Sequence, residues 1–237
     1  WAATGPGQDW ELRRRDLQSF GRWLETVQQA TGAPLAYNTR RDVLRRLQQM
    51  LRWAFTTDRL PMDLSKWAPK AQGGQPKRPA LTLAELARLL DASSLGAHPV
   101  RDRAILTMLI GSGMRRAELS GLNADDVTLS AATGTGLAVV HGKRTTANPT
   151  GERTIAIDAP TIAFLLAYLR LFNPHPGEPL FYWVHGAERR RLGPNAIYRI
   201  VRRAARRAEL ADRMKGPHDL RRAFATLMVR YIAEHDT

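Results

Sequence analysis

No cysteine occurs in the 237 residues. Disulfides, cysteine-ligated zinc and thiol nucleophiles are excluded on that ground alone. No apolar run is long enough to span a bilayer, and no stretch reads as a signal peptide, so a cytoplasmic location is the expectation. Carboxylates are scarce: 22 Asp and Glu stand against 36 Lys and Arg. None of them cluster at metal-ligand spacing, which argues against a metal nuclease, and Asp125-Asp126 reads as a helix-end loop. Lysine is scarce too, with only Lys66, Lys70, Lys77, Lys143 and Lys215. The chain opens at Trp1 rather than Met, and the expectation is a piece of, or the ordered part of, a longer protein.

Arginine is what the chain has in excess. The formal net charge is +14, and such an excess points to a polyanionic partner, nucleic acid above all. Guanidinium forks match phosphate geometry and base edges better than ammonium groups do. Hydrophobic residues make up 43% of the chain, enough for one large or two small cores.

Periodicity predicts a mainly α protein with a small β-hairpin or sheet. Residues 9–29 read as a helix with Leu12, Phe20, Trp23, Leu24 and Val27 on one stripe. A second helix runs from about Thr39 to Thr56, with Val43, Leu47, Leu51 and Ala54 inward. Arg40, Arg41, Arg45, Arg46 and Arg52 decorate its other faces, a candidate DNA-contacting surface. Residues 1–72 therefore form a helical N-terminal domain. Residues 73–80, rich in Gly and Pro, form a linker that includes Lys77 and Arg78 as further DNA-contact candidates. Residues 81–237 form the second domain.

That second domain starts on a clear signal. Thr82 and Glu85 have capping-box spacing ahead of Leu86, Leu89 and Leu90. Val100 to Leu109 reads as a buried helix. The segments 137–141 and 154–157 read as the strands of a hairpin with a turn-rich stretch between them. Pro160 to Phe172 is a helix, and residues 173–193 are loop interrupted by Leu180 to Val184. Pro194 to Leu210 is a helix whose Arg199, Arg202, Arg203, Arg206 and Arg207 point outward, suited to a DNA backbone.

Three short stretches carry chemistry. In Gly216-Pro217-His218-Asp219-Leu220-Arg221 the Gly-Pro pair breaks the chain and a helix follows. His218 and Arg221, three apart, share a side of that helix, a cation beside a proton-transfer group. Alone, such a pair is an ordinary surface feature. A hundred residues upstream, Gly113-Met114-Arg115-Arg116-Ala117-Glu118-Leu119 sets an arginine at another helix start, with Glu118 on the same face. The expectation is a buried Arg115 held in orientation by Glu118 and aimed at a phosphate, as against a plain surface ion pair. Lys143, at the end of the first hairpin strand, is the only lysine between Lys77 and Lys215. It is either an exposed turn residue or a cation chosen because it can release a proton, which arginine cannot.

Together, in this order and context, these stretches resemble the paired signature of the tyrosine recombinases, the phage integrase and Xer-type family. The resemblance covers nearly the whole chain. It implies a helical core-binding domain, an α+β catalytic domain and site-specific cleavage and rejoining of duplex DNA through a 3′-phosphotyrosyl intermediate. Carried over, Arg115 and Arg221 would clamp the scissile phosphate, Lys143 would protonate the leaving 5′ oxygen, His218 would assist proton transfer and Glu118 would support Arg115. The implied partners are double-stranded DNA with inverted-repeat half-sites and further copies of the chain, a tetramer in synapsis, with no metal, cofactor or membrane. A non-cleaving DNA-binding protein on the same fold and a type IB topoisomerase-like enzyme are the alternatives.

Two departures from the pattern stand out. The loop from Lys143 to Gly151 is longer than the family's tight turn. The family's nucleophilic tyrosine lies downstream of the His-x-x-Arg box, beyond further helices, and only 237 − 221 = 16 residues follow Arg221 here. Tyr231 is the one tyrosine among them. On a shared helix it is about 15 Å from Arg221 along the axis, too far to share a phosphate. Tyr37, Tyr168, Tyr182 and Tyr198 do not match the motif position either, so the nucleophile is expected outside this chain.

Overall fold

A computed structural model describes residues 12–74, 78–130, 132–142, 146, 148–185 and 188–235. The chain divides into two compact units, residues 1–77 and 78–237. The expectations on Lys77 and Lys143 lie outside the described residues.

In the first unit, α1 (Arg14–Thr26) and α2 (Tyr37–Thr56) pack together with a short 3-10 turn at Leu64–Trp67. Leu17, Leu51 and Leu64 form the buried core, flanked by Leu12, Leu47 and Trp67. Helix α1 is shorter than its apolar pattern predicts. Past Thr26 the backbone extends, and Gln28 bridges to Pro34 around a turn at Gly32. The stripe is also shifted. Leu17 and Leu24, seven apart, face inward, while Trp23 is half exposed. On α2 the fully buried residues are Leu44 and Leu51, again seven apart on one seam; of the expected Val43, Leu47, Leu51 and Ala54, Leu51 is fully buried and Leu47 packs half-buried against the core.

The second unit is built around α4 (Pro99–Ser112). Ala104, Ile105, Leu106, Met108 and Leu109 are all fully buried, the signature of a helix apolar on every side and surrounded by others. Against it lie α3 (Leu83–Ser93), α6 (Ala159–Phe172), α7 (Pro194–Arg207) and α8 (Pro217–His235). Each buried leucine or isoleucine there contributes about 1.5–3 kcal/mol. The capping box of α3 forms as read: Thr82 N–H donates to Glu85 at 2.8 Å, and Glu85 N–H to the Thr82 hydroxyl at 3.2 Å. Arg213 clamps the same carboxylate at 2.8 and 3.2 Å.

The expected hairpin is the larger part of an antiparallel sheet with strand order β1 (Val127–Ser130), β2 (Thr135–His141) and β3 (Glu152–Ile157). Strand β1 escapes sequence reading because it follows a short 3-10 turn at Ala124–Asp126 and has only four residues. A second ribbon, β4 (Tyr182–His185) with β5 (Glu188–Arg191), falls inside the expected 173–193 loop. Its β5 is a solid charge run, Glu-Arg-Arg-Arg, with no apolar alternation to betray a strand.

Candidate active site

The site is assembled at one turn. Helix α4 ends at Ser112, and Gly113 takes a left-handed conformation at φ 59°. A Cβ there would come within 2.2 Å of the Phe224 ring, so both the backbone angle and the space demand glycine. The chain reverses through buried Met114 and starts α5 (Arg116–Gly121) with Arg115 as its N-cap. From the other side, α8 lays Leu220 and Ala223 into the core. That fixes Arg221, whose Nη1 donates to the Gly113 carbonyl at 2.6 Å. The two arginine boxes, a hundred residues apart in sequence, are thus joined by a direct hydrogen bond two residues before Arg115.

Arg115 and Glu118 do meet, with one difference from expectation. The Arg115 side chain is 60% exposed and Glu118 is 3% exposed, so the buried partner is the carboxylate. Arg115 N–H donates to Oε2 and Arg115 Nη1 to Oε1, both at 2.7 Å. A cation at a cleft needs one fixed edge and one free edge, and burying Glu118 supplies the fixed one.

Sequence reasoning missed a third member. Arg153 of β3 donates Nη1 to Glu118 Oε1 at 2.8 Å and Nη2 to Oε2 at 2.7 Å. Burial pushes the Glu118 carboxyl up, but the bonds from Arg153 and Arg115 outweigh it and bring it down to about 2. The signal was present: Arg153 is in phase with Ile155 and Ile157 on the inward face of β3, and an inward arginine requires a carboxylate.

Arg115, Arg116, Lys215, His218 and Arg221 line one cleft of about 530 Å³ with Tyr198 and Asp219. Lys215 is one of five lysines and sequence reasoning gave it no role. The Tyr198 ring lies against Gly216, where a Cβ would come within 2.8 Å of it, and the Arg116 guanidinium sits 5.6 Å from the ring centre. Asp219 accepts from the Lys215 and Gly216 N–H groups at 2.7 and 3.3 Å, which holds the Gly-Pro corner. A concave surface with two oriented guanidiniums, an ammonium and an exposed imidazole suits a tetrahedral oxyanion. Among the described residues, no group of three or more His, Asp or Glu could hold a metal ion. Asp126 and Asp125 instead cap turns, accepting from Asn123 N–H at 2.7 Å and Gly177 N–H at 2.9 Å.

The basic faces are only partly as expected. Arg41, Arg45 and Arg46 of α2 and Arg78 are exposed. Arg40 is half-buried and lies 3.9 Å from Glu25. On α7, Arg199, Arg203 and Arg207 line a second cleft of about 520 Å³ with His98, Arg101 and Trp183, and Arg206 is exposed. Arg202 turns back instead, donating to the Ala211 and Met214 carbonyls at 3.2 and 2.5 Å. The turn after α7 leaves those carbonyls without helical partners, and Arg202 satisfies them. Tyr231 is exposed and stacks on His235, farther along α8 from Arg221.

Residues 79–236 match the model of the phage integrase family. The chain is 33% identical over 226 residues to the tyrosine recombinase XerC of Rhodospirillum centenum, covering 91% of this chain and 60% of that protein. It is 29% identical over 161 residues to XerA of Pyrococcus furiosus, covering 68% and 51%. To XerD of Pseudomonas putida it is 29% identical over 194 residues, covering 79% and 61%. The chain thus spans half to three-fifths of the length of these relatives. Among solved structures, XerH bound to its difH substrate superposes with a TM-score of 0.62 at 20% identity, over 95% of this chain and 61% of that one. A lambda integrase dimer bound to a core site gives 0.65 at 16% identity, over 94% and 72%. At these identities the likeness is one of fold.

Proposed function

The chain belongs to the phage integrase family, and on that premise we propose that it is the DNA-clamping and phosphate-binding part of a site-specific tyrosine recombinase. The reaction is cleavage and rejoining of duplex DNA through a 3′-phosphotyrosyl intermediate. The single observation that carries the reading is the union of Arg115, His218 and Arg221 in one cleft through the Arg221–Gly113 hydrogen bond.

In this reading Arg115 and Arg221 grip the non-bridging oxygens of the scissile phosphate. Attack by a tyrosine hydroxyl builds negative charge on those oxygens, and preorganised guanidiniums stabilise it without reorganising. His218, exposed at the cleft wall, handles the proton of the attacking hydroxyl. Lys143, two residues past the end of β2 in sequence, gives a proton to the leaving 5′ oxygen. The covalent phosphotyrosine conserves the bond energy for religation. The helical unit 1–77, with Arg41, Arg45 and Arg46 outward, clamps the duplex. Arg199, Arg203 and Arg206 of α7 neutralise further phosphates. The partners are duplex DNA with inverted half-sites and further copies of the chain, four in synapsis, in the cytoplasm.

The test is Arg115→Ala in a strand-exchange assay with a binding assay alongside. Loss of exchange with site affinity within a few-fold of the parent supports the role. Equal collapse of binding and exchange overturns it and makes Arg115 a structural residue.

A further inference from the structure

Glu118 is shared by two arginines in an unequal way. Each carboxylate oxygen accepts one hydrogen bond from Arg153 and one from Arg115. Four donors fill the lone-pair sites that a carboxylate offers. Arg153 binds through both of its terminal nitrogens, the fork-on-carboxylate arrangement. Arg115 contributes its backbone N–H and a single terminal nitrogen, so the rest of its guanidinium is left at the cleft. Were Glu118 not already bridged by Arg153, the strongest geometry open to it would be the same two-pronged bridge with Arg115.

The hairpin lies close to this pair. Gly142 follows β2, and its N–H donates to the Gly151 carbonyl at 2.7 Å. A Cβ on Gly142 would lie 3.4 Å from Arg153 Nη1 and 3.5 Å from Glu118 Oε1. Arg153 itself pairs with Val140 across the ladder, on the inward face. Gly142, the residue after β2, therefore lies beside the Glu118–Arg153 bridge, with little room there for a side chain.

We infer that Arg153 is a positioning residue: by occupying Glu118 with its own fork it keeps Arg115 turned to the cleft. The inference rests on the recombinase reading for its activity readout and on geometry alone for its structural one. The bridge ties β3 to α5 through one carboxylate.

The experiment uses Arg153→Gln and Arg153→Lys in the full-length natural protein. Three quantities are measured: melting temperature, affinity for a recombination half-site, and the single-turnover rate of covalent adduct formation on a nicked substrate. The expected result for Arg153→Gln is a lowered melting temperature that still leaves the protein folded at the assay temperature, affinity within about threefold, and a rate about 10²-fold lower, the scale of a displacement near 1 Å at a reacting group. Arg153→Lys recovers part of the rate, because an ammonium neutralises Glu118 but gives no fork. A rate within threefold of the parent overturns the inference, as does a loss that merely follows lost affinity or lost folding. If the parent itself forms no adduct, the recombinase reading has failed, and a crystal structure of Arg153→Gln decides the inference separately. Arg115 swung onto Glu118 with two terminal nitrogens within about 3.2 Å supports it; an unmoved Arg115 overturns it.

Discussion

Replacing Gly113 by alanine probes the turn on which both arginine boxes converge. At φ 59° an alanine pays the left-handed penalty, about 1–2 kcal/mol. Its methyl would also sit 2.2 Å from Phe224 Cδ1 and 2.8 Å from two further ring carbons, well inside contact distance. Overpacking of that kind costs about 1–3 kcal/mol. The sum is about 2–5 kcal/mol, or roughly 4–20 °C in melting temperature for a domain of this size. The site should suffer with it. The Gly113 carbonyl anchors Arg221, and a displaced ring moves α8. Thermal unfolding by circular dichroism measures the first effect. The double variant Gly113→Ala/Phe224→Leu separates the two costs by relieving the clash and leaving the backbone penalty, so it should melt between parent and single variant. A single variant that melts within about 1 °C of the parent would refute the reasoning, because neither the conformation nor the contact would then exist in solution.

Further outcomes follow from other contacts. Glu118 and Glu85 are both held at about 2, below the ordinary 4.5. Their ionised forms therefore stabilise the fold above pH about 4.5, and that contribution is lost as pH falls towards 2. For buried Glu118 it amounts to about 3 kcal/mol. Acid titration should show this loss, and Glu118→Gln should flatten the slope; an unchanged slope would count against the pairing. Tyr168 is buried and donates its hydroxyl to the Leu180 carbonyl at 2.9 Å, so Tyr168→Phe should cost about 1–3 kcal/mol in chemical denaturation. DNA affinity should fall steeply with salt, and Arg199→Ala/Arg203→Ala should reduce the log–log slope by about two. A flat salt dependence would remove the basic face of α7 from the interface.

Much of the fold was legible because its helices carry long apolar periods. Val100 to Leu109 announces a central helix because it is nearly all apolar after its charged start, and Thr82 with Glu85 announces a helix start by spacing alone. Strands β1 and β5 were not legible: one is too short for a period, the other is made of charge. On α1 the pattern placed Trp23 and Leu24 inward because both are apolar; Leu24 is buried, Trp23 is half exposed, and the residue that meets Leu51 and Leu64 is Leu17, which the pattern passed over. Within the site, the contact between Arg115 and Glu118 could be read from spacing, since three residues at a helix start settle it. Which of the two is buried could not, because the burial of Glu118 depends on Arg153, thirty-five residues away on a strand. Arg202 teaches the same lesson in reverse. Its place on a basic stripe is visible in sequence, but the unsatisfied carbonyls that draw it inward belong to a turn that only the fold brings near.

The central claim is that the cleft of Arg115, His218 and Arg221 activates a DNA phosphate for attack by tyrosine. The most direct measurement is a suicide-substrate assay on the full-length natural protein, using a nicked duplex with its cognate half-sites and a denaturing gel. The account predicts a protein–DNA adduct that survives denaturation, maps to a single tyrosine by peptide analysis, and vanishes in Arg115→Ala and Arg221→Ala while binding persists. Tight, salt-sensitive binding with no adduct would contradict it and leave a DNA-binding protein that has this fold without its chemistry.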